Sequence, residues 1–156
     1  MNVTSNAFVN NGMIPRTYTG FGKDISPDFQ LEGISENTAS VAIVLDDLDV
    51  PFIHTFTHWI IWNMQPAKII PQAIPGGEMI DAPIKAVQGK AWGKHIYRGP
   101  KQPPFLRKAH RYRFTVFALD TMLEISPDSN KRQLLRAMTD HIIDSAELTG
   151  IYKRGN

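Results

Sequence analysis

The stretch Arg111–Asp120, RYRFTVFALD, constrains the fold more than any other part of the chain. Tyr112, Phe114, Val116 and Ala118 recur at every second position. In an extended backbone such residues share one face, so this segment reads as a strand with one face against a core. Two other runs agree with it. Ser40–Asp46 (SVAIVLD) is apolar and β-branched and reads as a buried strand. Thr55–Met64 (TFTHWIIWNM) is rich in aromatic and β-branched residues and reads as another. An acidic turn, Asp46-Asp47-Leu48-Asp49-Val50, ends at Pro51 and separates the two. Pro66, Pro71, Pro75 and Gly76-Gly77 break the next section into loops, and Tyr97–Pro104 (YRGPKQPP) is a stiff loop of its own.

The last forty residues follow a different period. Leu134, Leu135, Met138, Ile142 and Ala146 recur at helical spacing. Asn130 stands three residues before Gln133, which fits an N-cap with its capping-box partner. Gly150 suits a left-handed helix end. The pattern predicts a helix from Lys131 to Leu148. Many strands followed by one helix predict a mainly β protein, an antiparallel Greek-key β-sandwich with a C-terminal α-helix, in one domain spanning 1–156.

The chain has no cysteine, which rules out disulfides and thiolate chemistry. Met1–Gly12 is polar and lacks the basic and apolar regions of a secretion signal. No apolar run approaches the roughly 20 residues that span a bilayer. A cytoplasmic protein with no membrane span is the expectation. Net charge is +2, but its distribution is uneven. Ala82–Leu119 contains no acid and carries the bases Lys85, Lys90, Lys94, Arg98, Lys101, Arg107, Lys108, Arg111 and Arg113. Such a stretch suits an anion or a nucleic acid, or a solvated face paired with acids from elsewhere in the fold.

Five residues at strand ends have the chemistry of a site. Asp47 and Asp49 share a parity, so an extended segment would aim both carboxylates to one side. His58 lies in the next strand, and His110 shares parity with Tyr112 at the start of another. The same residue types allow three other readings. Two histidines with a carboxylate can hold a divalent metal. They can also perform acid–base work on a phosphoester. Aromatic and basic residues interleaved at 85–113 can bind single-stranded nucleic acid. Against these, no pair among Asp47, Asp49, His58 and His110 has the His-x-His or i, i+4 spacing of a local metal site, and the chain has no Gly-x-Ser-x-Gly nucleophile motif. Its net charge is low for a nucleic-acid binder. Those readings therefore rank below a non-enzymatic binding module that needs no cofactor.

A family resemblance joins these elements. Asp47-Leu48-Asp49-Val50-Pro51 resembles the Asp-Pro-Asp-Ala-Pro signature of the phosphatidylethanolamine-binding family. His58-Trp59-Ile60-Ile61-Trp62-Asn63-Met64 is similar to the strand that follows it there. Gly99-Pro100, Pro103-Pro104, His110-Arg111-Tyr112 and Phe117-Ala118-Leu119-Asp120 look like further elements of the family, in order. Ile14-Pro15, Tyr18-Thr19 and Ile25-Ser26-Pro27 resemble the amino-terminal pattern of its microbial, Raf-kinase-inhibitor-like branch. The likeness covers nearly the whole chain. It departs at Leu48 and Val50, where Pro and Ala are usual, at Phe56, where some relatives have Trp, and in the loop Phe105–Ala109, which is longer and more basic.

The resemblance implies a pocket for a small phosphate-like anion, a phospholipid head group or another phosphorylated group, acting as a regulatory or inhibitory module. Carried over residue by residue, its lining is Asp47, Asp49, His58, Gly99, Pro100, His110 and Tyr112. Carboxylates beside an anion make sense if they keep imidazoles protonated, so at least one of His58 and His110 is expected to have a raised pKa. Gly99 would let the anion reach backbone N–H groups. Trp59, Trp62 and the Pro-rich loop are also candidates for a homodimer interface.

Overall fold

The computed structural model describes residues 1–155. Its strands are β1 (Asn2–Thr4), β2 (Gly12–Met13), β3 (Phe29–Glu32), β4 (Ser40–Val50), β5 (His54–Met64), β6 (Ile69–Ile70), β7 (Met79–Ile80), β8 (Ala86–Gln88), β9 (His110–Leu119) and β10 (Ile142–Tyr152). One α-helix, α1 (Lys131–Met138), precedes the last strand. The short strands β1, β3 and β6 form a three-stranded sheet. The others form a seven-stranded sheet in the order β2-β10-β9-β4-β5-β8-β7. All its pairings are antiparallel except that of β2 with β10. β9 returns over a long connection to lie beside β4, as in a Greek key.

The strand β4 is buried on both faces. Val41, Ile43 and Leu45 enter the core between the sheets with Phe29, Leu31, Trp59, Ile61, Phe114 and Val116. Ala42 and Val44 face the other way, against Ile60, Trp62, Leu134 and Met138. The helix α1 therefore covers the outer face of the large sheet. The alternation read in Arg111–Asp120 holds, with Tyr112, Phe114, Val116 and Ala118 all buried.

The expected helix end is wrong. The capping box forms, with the Gln133 amide donating to Asn130 Oδ1 at 3.0 Å and the Asn130 amide donating to Gln133 Oε1 at 2.9 Å. The helix then stops at Met138, and Asp140 takes a left-handed φ of 66°. Residues 142–152 pair along β9 as a strand. Ala146, Leu148, Gly150 and Tyr152 alternate along it, and Leu148, Gly150 and Tyr152 are buried. This run carries Ile142, Ile143, Thr149, Ile151 and Tyr152, residue types that favour strands. The i, i+4 coincidence of Met138, Ile142 and Ala146 satisfied both periods and concealed the change. Gly150 ends no helix; a side chain there would collide with Ile14 and Phe8.

The tryptophans do not serve an exposed interface. Trp59 and Trp62 are fully buried on opposite faces of β5. The Trp59 indole donates to Gln88 Oε1 at 2.7 Å. Among the described residues, no helix is long and apolar enough to cross a membrane.

Candidate functional site

Two irregularities in strand pairing build the site. Leu45 faces Trp59 across β4 and β5, but Asp46 faces Thr57. His58 is therefore an extra residue in a β-bulge. By plain alternation it would point with Ile60 and Trp62 toward the helix. A bulge re-aims the side chain, and His58 instead joins the residues on the inner side. The second irregularity lies between Asp47 and Val50. It breaks the shared parity expected of Asp47 and Asp49. Asp47 stays inward and buried. Asp49 turns outward, with its side chain 29% exposed, and binds Arg111. It accepts from the Arg111 backbone amide at 2.8 Å, from Nε at 2.9 Å and from a terminal nitrogen at 2.8 Å. These bonds hold its carboxyl below the ordinary range, the side-chain bond to Arg111 first among the causes.

Inside, His110 Nδ1 donates to both oxygens of Asp47 at 2.8 and 3.0 Å. His58 Nδ1 donates to the Arg98 carbonyl at 2.9 Å. Both rings are thus oriented through Nδ1, and each keeps Nε2 for another partner. Tyr112 lies between them, edge-on to His58 at 5.4 Å and stacked on His110 at 6.4 Å. Burial first, then the charge of Asp47, pushes the Tyr112 hydroxyl far up, so it remains a donor. A cavity of about 360 Å³ opens over these residues. Its remaining wall is largely apolar and includes Val50, Phe56, Trp92 and Leu106. Phe52, at the β4–β5 tip with a left-handed φ of 71°, and Phe105 stand at its mouth, 97% and 80% exposed.

The structure thus brings together Asp47, His58, His110 and Tyr112, and it sends Asp49 to a different face. Gly99 and Pro100 do not line this cavity. The Gly99 amide already donates to Asp24 Oδ1 at 2.7 Å, and the Pro100 carbonyl accepts from Gly20 at 2.9 Å. Gly99 is thereby not the open backbone donor expected of it. Sequence reasoning missed Trp92, Lys101, Gln102 and the exposed phenylalanines. The only hint was the unusual composition of the loop after Tyr97. Part of the basic stretch is matched by acids from elsewhere: Lys90 pairs with Asp128, Arg111 with Asp49 and Arg113 with Glu147. Glu78, His95 and Asp128 converge at a separate surface point, where the Lys90 ammonium already lies 2.8 Å from Asp128.

For His58 the expected rise in pKa is reversed. Burial, the dominant cause, lowers it from 6.5, against the Arg98 carbonyl bond and the charge of Asp47. Below about pH 6.5 the unfolded chain binds a proton that folded His58 refuses. The stability due to neutral His58 is thus present above that pH and is lost as pH falls toward the folded pKa. His58→Gln is expected to flatten this limb. Urea midpoints measured between about pH 7 and pH 5 check it, and a variant as acid-sensitive as the parent in this range would refute it.

The family described as phosphatidylethanolamine-binding protein matches residues 4–153. A UPF0098 protein of Pyrococcus horikoshii is 44% identical over 151 residues, covering 96% of this chain and 75% of that protein. A UPF0098 protein of Methanothermobacter thermautotrophicus is 36% identical over 157 residues, 99% of this chain and all of its own length (100%). Among solved structures, a protein of Chlamydia trachomatis named as a phosphatidylethanolamine-binding protein homologue superposes with a TM-score of 0.83 at 33% identity, over 98% of this chain and 97% of its own. Escherichia coli YbcL, described as a new member of the mammalian PEBP family, gives 0.83 at 27% identity over 97% of both chains.

Proposed function

This chain belongs to the phosphatidylethanolamine-binding protein family, and from that premise we propose that it binds a small phosphate-like anion in the cavity bounded by His58, His110 and Tyr112. The observation that carries the reading is the pair of imidazoles fixed at Nδ1, each with Nε2 left to meet a ligand. Asp47 is no obstacle, because its charge is directed to His110. A neutral Nε2 accepts from a protonated phosphate oxygen, and a protonated Nε2 donates to an ionised one. Either way one proton lies between ring and anion. The Tyr112 hydroxyl supplies a further donor. The apolar wall exceeds what a bare phosphate needs, so the preferred ligand is a phosphate ester whose apolar part leaves over Phe52 and Phe105. A phospholipid head group and a phosphorylated small molecule share this chemistry. In this reading the site binds and releases its ligand unchanged.

Charge-assisted hydrogen bonds contribute roughly 1.5–3 kcal/mol each, and immobilising the ligand opposes them by several kcal/mol. Phosphoethanolamine is expected to bind with a dissociation constant on the order of millimolar to micromolar. NMR titration should move the ring signals of His58 and His110. Tyr112→Phe, which removes one hydroxyl and leaves the fold, should weaken binding by roughly two- to tenfold. Shifts confined to exposed bases such as Lys108, with both rings unmoved, would place the anion elsewhere and end this reading.

A further inference from the structure

Beside the cavity lies a second cleft, of about 560 Å³, and the two share Trp92, Lys101, Gln102 and Pro103. Their continuity makes it part of the surface that an extended ligand would meet. Its character differs from that of the first. Arg98 and Arg154 face it, with Lys101 at the shared wall and Asp24 as its one carboxylate. Both arginines are half-buried, and the guanidinium of each rests on an aromatic ring, Arg98 on Trp92 at 5.0 Å and Arg154 on Phe21 at 5.1 Å. Arg154 is braced further, its side chain donating to the Gln102 carbonyl and its amide to Gln102 Oε1, both at 2.8 Å. Among the described residues, neither guanidinium forms a salt bridge.

Three other bases, Lys90, Arg111 and Arg113, are paired with acids. These two are oriented, partly withdrawn from water and left without an anion. Stacking fixes the plane of a guanidinium and leaves its N–H edge for a carboxylate or phosphate. Asp24 is held by the Gly99 amide through Oδ1, which leaves Oδ2 for a cationic group.

We infer that the Arg98–Arg154 cleft is a second anion subsite, and that the ligand is a phosphate ester carrying a further carboxylate or phosphate. The phosphate sits at the imidazoles, the second anionic group lies between the two guanidiniums, and an ammonium on the same ligand meets Asp24. The inference rests on the proposed anion cavity only for the position of the first phosphate; the cleft's own affinity is independent of it.

Two probes that differ by one carboxylate test the idea, O-phosphoserine and phosphoethanolamine. Calorimetry on the full chain should show phosphoserine binding at least about tenfold more tightly, the effect of one added charge-assisted bond. Arg154→Ala should reduce that ratio to near one and leave phosphoethanolamine affinity within about twofold. A second measurement is the side-chain Nε–H signals of Arg98 and Arg154 during titration with inorganic phosphate, in the parent and in His58→Gln. The signals should shift in both. Equal affinity for the two probes, or guanidinium signals that phosphate leaves unmoved, would overturn the subsite. Failure of phosphoethanolamine to bind, with phosphoserine still captured through Arg154, would instead sink the imidazole cavity and leave the cleft standing.

Discussion

His110→Ala is expected to cost about 3 kcal/mol of stability at neutral pH, and Asp47→Asn made in that background is expected to recover part of the loss. Asp47 and His110 are both buried and bonded to each other at 2.8 Å. Removing one partner of a buried pair typically costs 3–5 kcal/mol, because the survivor is left charged in poor solvent. The adjoining cavity admits water, which sets the lower end of that range here. After the imidazole is gone, Asp47 retains the Asp49 amide, which donates to its Oδ1 at 3.0 Å. That single bond does not replace the imidazole. An uncharged Asn at position 47 should then be better tolerated than the carboxylate, by about 1 kcal/mol or more. In the parent the same Asp47→Asn change replaces one of the two oxygens that accept from His110 by an amide donor and removes the charge, and should destabilise. The substitution thus changes sign with its background, the signature of direct coupling. Urea unfolding of the four proteins measures it. Additive effects would mean that the pair is not coupled as its geometry requires.

How far the site could be read in advance follows from which residues obey strand periodicity. Tyr112, Phe114, Val116 and Ala118 lie on a regular strand, so counting by two placed them correctly. His110 came with them. The same count would have turned His58 toward the helix, and it aimed Asp49 inward. Both departures from alternation arise at places where one strand carries an extra residue. Neither bulge contains glycine or another strong local signal. The extra residue is specified by tertiary demands: Trp59 must enter the core opposite Leu45, and Thr57 must reach Asp46, to which its hydroxyl donates at 2.7 Å. Asn63 marks a third such place. It has a left-handed φ of 60°, and its side chain bonds the Leu123 backbone twice, at 2.8 and 2.9 Å. The family likeness named the right strands because it carries positions and order, but it carried Asp49 and Gly99 into the lining as well. Their places here are decided by the partners Arg111 and Asp24, which no local spacing announces.

Gly99→Ala is expected to lower stability by about 3 kcal/mol or more and to weaken anion binding together with it. A methyl group at this position would stand 2.0 Å from the Tyr18 carbonyl oxygen and 3.0 Å from the Thr19 α-carbon. Both are backbone atoms, so no side chain can rotate aside. The segments must separate, and several bonds join them. The Tyr97 hydroxyl donates to the Tyr18 carbonyl at 2.7 Å, the Gly99 amide to Asp24 at 2.7 Å and the Gly20 amide to the Pro100 carbonyl at 2.9 Å. Losing the bond to the Asp24 carboxylate contributes roughly 1.5–3 kcal/mol, and weakening the two neutral bonds adds about 1 kcal/mol each. Glycine is therefore required here for close backbone approach, and not to expose an amide to ligand. The effect reaches the site through Arg98, the preceding residue. Its carbonyl orients His58, and its guanidinium lines the adjoining cleft. Shifting this strap releases the His58 ring and moves Arg98, so phosphoethanolamine affinity should fall even where the variant is still fully folded. Gly93→Ala is the matched control. Gly93 has a left-handed φ of 71° and no atom within 4 Å of an added Cβ, so its cost should be the backbone penalty alone, about 1 kcal/mol. Urea midpoints and calorimetry on both variants separate packing from backbone strain. A Gly99→Ala protein no less stable than Gly93→Ala, with parental affinity, would show that the Tyr18 segment yields freely and that the strap does not position His58.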